Sequence, residues 1–168
     1  MNLEIFDNFF EAEDLFKIKT LCEEAHQDAD VQAKGAWDSR LTIGRGNVDI
    51  YHITKNFDSE VYEIVVNRLK KITDLVPSMI GFYYWHPESF IAWHNDDIHA
   101  GGATIYLNET WDKDNGGLFL YRKNIDPIKG VIPKLNRCVF QTGQVPHTTT
   151  STHWNSPIRK SMQVFFKK

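Results

Sequence analysis

The sequence predicts an α+β fold, with two helices in its first half packed on a small barrel or sandwich of short strands. Three observations predict it. Apolar residues recur at helical spacing in two segments that precede Pro77. After Pro77 nearly every segment is a short β-branched or aromatic run between turn signals. Helices followed by a run of strands is the order of an α+β domain, not of an alternating α/β one.

Composition bounds the reading. A chain of 168 residues suits one core, so residues 1–168 are expected to form a single domain, with a helical lead-in over 1–77 and a strand core over 78–168. The hydrophobic fraction of 42% and aromatic fraction of 13% are enough to fill that core and exclude a disordered chain. A net charge of −3 gives no electrostatic footprint for nucleic acid. The N-terminus lacks a basic, then apolar leader, and no apolar run is long enough to span a bilayer. Cys22 and Cys138 both lie in apolar runs and read as buried free thiols, which points to a cytoplasmic setting.

The elements follow in order. Leu3 to Phe6 is a short entry strand. Residues 11–27 form a helix, because Leu15, Ile18, Cys22 and Ala25 share one face while Lys19, Glu23 and Glu24 face water. Residues 35–49 are polar and broken by Gly35, Gly44 and Gly46; they make a surface hairpin or a flap over a site, with Trp37, Arg40 and Arg45 in it. Asp58 or Ser59 caps a second helix reaching about residue 76, with Val61, Ile64, Val65, Leu69, Ile72 and Val76 as its buried stripe and Pro77 as its stop. Strands are then expected over 78–85, 90–96, 103–108, 117–122, 137–142 and 158–166, with a tight turn at Asp114-Asn115-Gly116-Gly117.

The chemistry centres on Trp93-His94-Asn95-Asp96-Asp97. Strand alternation would put His94 and Asp96 on one face and Asp97 on the other. One imidazole beside one carboxylate is two-thirds of a facial iron site, and His147, at a Pro-His turn entering another strand-like run, is the candidate third ligand. On the last strand Arg159, Ser161 and Gln163 share a face opposite Met162, Val164 and Phe166. Such a polar face either meets solvent or lines a barrel interior that holds an anion. Tyr106 projects with Thr104, opposite Ile105 and Leu107. His99 is read as a loop histidine. Five tryptophans are enough for one or two to line a mouth. Neither a nucleophile elbow nor a phosphate-binding glycine loop occurs.

Taken jointly, these residues resemble a known family. His94-Asn95-Asp96, His147 and Arg159-Lys160-Ser161 are similar to the H-x-D…H…R-x-S pattern of Fe(II)/2-oxoglutarate-dependent dioxygenases. Ile105-Tyr106-Leu107-Asn108-Glu109-Thr110-Trp111 with Asn115-Gly116-Gly117-Leu118 resembles the Y-L-N-x-x-W…G-G-x-L stretch of the prolyl 4-hydroxylase-like branch, and Val145-Pro146-His147 its distal Pro-His. The interval from His147 to Arg159 is a little long for the family, and the anion position carries Arg where many prolyl 4-hydroxylases carry Lys.

The resemblance implies a double-stranded β-helix, or jelly roll, flanked by two N-terminal helices. It implies iron held by His94, Asp96 and His147, with 2-oxoglutarate as cosubstrate, O2 as oxidant and ascorbate as reductant. Arg159 and Tyr106 would take the distal carboxylate of 2-oxoglutarate, with Ser161 as an extra donor. Tyr84 would reach the cosubstrate near the metal; Tyr83 has the opposite parity, so one of the two points inward. The implied reaction is hydroxylation of an unactivated C–H bond of a prolyl residue in a peptide or protein partner; related enzymes also act on free amino acids, other side chains or nucleobases, and the net charge and the lack of a long apolar run favour neither nucleic acid nor membrane as a partner here. The alternative is a non-catalytic jelly-roll binding domain that retains a metal site.

Overall fold

The computed structural model of the chain describes residues 2–28, 48–123 and 126–168. Trp37, Arg40 and Arg45, and with them most of the expected flap, lie outside the described residues.

β1 (Asn2–Phe6) leads into α1 (Ala12–Asp28), and β2 (Val48–His52) into α2 (Ser59–Leu69). Then come β3 (Pro77–Trp85), β4 (Ile91–His94), β5 (Gly101–Tyr106), β6 (Phe119–Tyr121), β7 (Lys129–Val131), β8 (Cys138–Thr142), β9 (His147–Thr149) and β10 (Arg159–Phe166). The strands form two antiparallel sheets. One has six strands in the order β1-β8-β5-β10-β3-β2, the other four in the order β4-β9-β6-β7. Two strands of the lead-in, β1 and β2, are therefore the edges of the larger sheet.

Strand alternation sorts the larger sheet into two faces. Phe82, Tyr84, Ile105, Met162, Val164 and Phe166 pack with Ile18, Cys22, Val65 and Leu69 of the helices. The opposite face carries Tyr83, Trp85, Thr104, Tyr106, Gln141, Arg159 and Ser161, all buried. The apolar stripe of α1 is buried as its spacing predicts, with Ile18, Cys22 and Ala25 at 3% exposure or less. The two cysteines are free and buried. No described helix is long and apolar enough to cross a membrane.

The second helix is shorter than its periodicity suggests. It ends at Leu69, where the last turn tightens: the Lys71 and Ile72 amides reach carbonyls only three residues back, on Arg68 and Leu69. The Thr73 hydroxyl then accepts the Leu75 amide, holding the chain out of helix. Val76 is 57% exposed rather than part of the stripe, and Pro77 opens β3 instead of closing α2. Asp58 stands at the N-cap position, but its carboxylate turns back to accept from the Thr54 amide at 3.0 Å and the Tyr51 hydroxyl at 2.9 Å.

Candidate metal centre and cosubstrate pocket

His94 ends β4, His147 begins β9, and the two are direct partners in the ladder. Each ring is locked by the same local device. His94 Nδ1 lies 2.8 Å from the Ala92 carbonyl oxygen, and His147 Nδ1 lies 2.8 Å from that of Val145. A carbonyl only accepts, so Nδ1 carries the proton in both rings and Nε2 presents a bare lone pair. Both Nε2 atoms face one carboxylate: Asp96 Oδ1 is 3.5 Å from His94, and Oδ2 is 3.6 Å from His147. One ligand atom from each residue lies within 4.8 Å of the other two, and among the described residues this is the one cluster able to hold a metal ion.

Asp96 reaches the cluster by a different route from the one strand parity predicts. β4 stops at His94, and a turn closed by the Asp97 amide on the Asn95 carbonyl brings the carboxylate in. Alternation therefore does not govern Asp97, which is exposed and borders the cavity rather than pointing away from it. Burial lowers the pKa of His147 against the opposing pull of Asp96, which favours the neutral, metal-binding imidazole. Phe119 stacks on the same ring at 5.0 Å and 17°, fixing its plane.

The cluster sits in a cavity of about 400 Å³ between the sheets, walled also by Tyr83, Trp85, Thr104, Gln141, Gln163 and Phe165. His99 borders it with its ring against Phe165 at 4.5 Å, outside the cluster. Of the other tryptophans, Trp93 and Trp154 are 42% and 69% exposed, while Trp111 donates to the Gly116 carbonyl.

Arg159 begins β10 on the same inner face and is fully buried. Its guanidinium lies between two rings, 4.7 Å from the Trp85 centroid and 5.4 Å from that of Tyr106. Nε and Nη1 have no hydrogen-bond partner of good geometry, and the buried Tyr106 hydroxyl, itself without one, is the polar group that interacts with the guanidinium. Among the described residues no carboxylate pairs with this cation. Burial pushes the Arg159 pKa down and that of Tyr106 up. Ser161 is buried one step along β10, in register with both Tyr106 and Tyr83. The cavity wall stops short of Arg159, Tyr106 and Ser161; Trp85, which does line it, stands over the guanidinium.

Tyr84 is placed elsewhere. Its hydroxyl donates to the Cys22 carbonyl at 2.6 Å, and its ring stacks on His26 at 4.3 Å, in the layer between sheet and helices. The inward tyrosine is Tyr83. The cause is tertiary: the helices cover the face of β3 that carries even-numbered residues there. Sequence reasoning also passed over Gln141, while Trp85, one of the five tryptophans of which one or two are expected at the mouth, does line the cavity. A glutamine inside the apolar run Cys138-Val139-Phe140-Gln141 was the available signal, since a buried polar side chain needs a partner.

No protein-family model and no curated protein sequence matches the chain. Solved structures do. A Pseudomonas putida prolyl-4-hydroxylase superposes over 99% of this chain and 92% of its own, with a TM-score of 0.77 and 19% identity. A Trichoplax adhaerens prolyl hydroxylase, solved with a hypoxia-inducible-factor degradation-domain peptide, covers 98% of this chain and 83% of its own, with a TM-score of 0.76 and 13% identity. The epimerase SnoN of nogalamycin biosynthesis, solved with Fe3+ and alpha ketoglutarate, covers 99% and 78%, with a TM-score of 0.73 and 10% identity. The fold is that of the 2-oxoglutarate/Fe(II) oxygenases. Mostly antiparallel sheets flanked by two helices match the expected double-stranded β-helix. Within this fold the His94-Asp96-His147 cluster has the three ligand atoms to hold a metal ion.

Proposed function

We propose that the chain is a 2-oxoglutarate-dependent dioxygenase acting as one domain, and that it hydroxylates a C–H bond of a prolyl residue in a peptide or protein. The balanced reaction consumes the substrate C–H, O2 and 2-oxoglutarate, and yields the alcohol, succinate and carbon dioxide. The observation that carries this reading is Arg159, a buried guanidinium with two unpartnered nitrogens on the inner face of the larger sheet, in a fold whose smaller sheet carries the two histidines of a His-Asp-His cluster. An unpaired buried cation costs several kcal/mol, on the order of what a carboxylate seated against it offsets.

The residues fit the absent groups. His94 and His147 through Nε2, and Asp96 through its carboxylate, would hold Fe(II) on one side and leave positions open. Iron with bound cosubstrate would supply the oxidising power for C–H cleavage. The chain supplies the rest. Arg159 offers a planar fork to the far carboxylate of 2-oxoglutarate, Tyr106 adds a hydroxyl donor, and Ser161 is a further donor. Tyr83 takes the place first expected of Tyr84. The apolar side of the cavity, with Met79 and Phe165, suits a neutral side chain such as proline. The preference for a prolyl peptide is supported by two similar structures being prolyl hydroxylases, one of them with a peptide.

The test is succinate formation from 2-oxoglutarate by the purified protein with Fe(II) and ascorbate, with and without proline-containing peptides. Iron-dependent succinate that rises with a peptide is the expected result. Succinate indifferent to every peptide would overturn the substrate class, and iron binding without any succinate would favour a non-catalytic jelly-roll domain.

A further inference from the structure

Gln141 lies on β8, 5% exposed, and its Nε2 donates to Asp96 Oδ2 at 2.9 Å. The reverse orientation of the amide would set a carbonyl oxygen against a carboxylate oxygen, so the donor assignment is fixed by chemistry. The Gln141 Oε1 atom is buried with no partner, so the amide is held at this position by its bond to Asp96 and not by its own carbonyl. Gly102 is the direct ladder partner of Gln141 on β5, and a Cβ there would lie at ordinary van der Waals distance, 3.7 Å, from both Asp96 Oδ2 and Gln141 Nε2, so the neighbouring strand passes close over the pair.

We infer that Gln141 is a positioning residue for the metal centre: it occupies Oδ2 of Asp96 and so makes this carboxylate a one-oxygen ligand through Oδ1. The inference rests on the reading of His94, Asp96 and His147 as metal ligands. A carboxylate free to rotate can chelate through both oxygens and close a coordination position, or swing away from the imidazoles. The amide bond prevents both and keeps Oδ1 turned toward His94 Nε2. Outer partners of this kind typically contribute about 10–100-fold to metal affinity.

The test uses Co(II), an oxygen-inert probe, titrated against a competing chelator without 2-oxoglutarate. Four proteins are compared: the unaltered chain, Gln141→Met, Gln141→Ser and Gln163→Met. Methionine keeps the length without the amide, and serine keeps polarity without the reach, so either variant that folds tests the role by itself. Gln163 is a cavity glutamine on the neighbouring wall that bonds Thr104 and Ser161 rather than Asp96. Both Gln141 variants are expected to bind Co(II) at least about tenfold more weakly, with altered visible absorption, and Gln163→Met within about twofold of the unaltered chain. Equal affinity in the Gln141 variants, or an equal loss in Gln163→Met, overturns the role of Gln141 and leaves the metal centre standing. An unaltered chain that binds no Co(II) overturns the metal reading, and this inference with it.

Discussion

His94 and His147 face each other directly across the β4–β9 ladder, their ring centroids 4.2 Å apart and tilted by 56°. Each gives its Nδ1 proton to the carbonyl two residues earlier in the chain, so the backbone around the paired strands also selects the tautomer. Asp96 faces the bare Nε2 of both rings and is held by the amide of Gln141. Substituting alanine for His94, Asp96 or His147 is therefore expected to remove metal binding and bring succinate production to background. Full turnover in any one of the three would eliminate the proposed metal centre.

Arg159 separates stability from function. Its charge is buried and no carboxylate among the described residues pairs with it, so Arg159→Met, compared without added 2-oxoglutarate, is expected to unfold at higher urea concentration than the unaltered chain. Exchanging a poorly compensated buried charge for an apolar side chain often gains about 1–4 kcal/mol. The same change is expected to raise the 2-oxoglutarate requirement at least about tenfold, since a charge-assisted hydrogen bond contributes about 1.5–3 kcal/mol. Urea denaturation and a cosubstrate titration read the two effects independently. An unchanged requirement would count against the anion site.

Tyr83 and Tyr84 give opposite expectations for the same deletion of one hydroxyl. Tyr84→Phe loses the bond to the Cys22 carbonyl and should cost about 1 kcal/mol of stability, leaving the 2-oxoglutarate requirement where it was. Tyr83→Phe alters the cavity wall and is expected to raise that requirement. Cosubstrate titrations on both variants decide between them. A raised requirement in Tyr84→Phe would return the role to that residue.

Much of this architecture is legible in the residues alone. Helical spacing marks α1 and its stripe, and period-two alternation sorts all of β10, placing Arg159 and Ser161 opposite Met162, Val164 and Phe166. What stays hidden is tertiary. Ile72 and Val76 continue a 3.6-residue period past the end of α2, because local spacing cannot report where the last turn tightens. Asp96 lies past the end of β4, so parity reaches the right face for the wrong reason. Parity also says that Tyr83 and Tyr84 part company, but not which face of β3 the helices cover. The Asp96–Gln141 bond joins residues 45 positions apart, and no local pattern links them.

Gly117 offers a remote test of the Arg159 pocket. The Asn115-Gly116-Gly117 turn needs glycine twice, with φ of 68° at Gly116 and 63° at Gly117. A Cβ at Gly116 would strike the Ser151 carbonyl oxygen, so substitution there reports only on the turn. At Gly117 the Cβ would instead lie 2.9 Å from Arg159 Cδ and 3.1 Å from Thr152 Cγ2. Gly117→Ala therefore combines left-handed strain, on the order of 1–3 kcal/mol, with displacement of the Arg159 side chain. It is expected to lower the unfolding midpoint and also to raise the 2-oxoglutarate requirement, with metal affinity unchanged. The control is Gly116→Ala, which should lower stability alone. If both variants weaken 2-oxoglutarate binding alike, the effect belongs to the turn and not to the packing of Gly117 against Arg159.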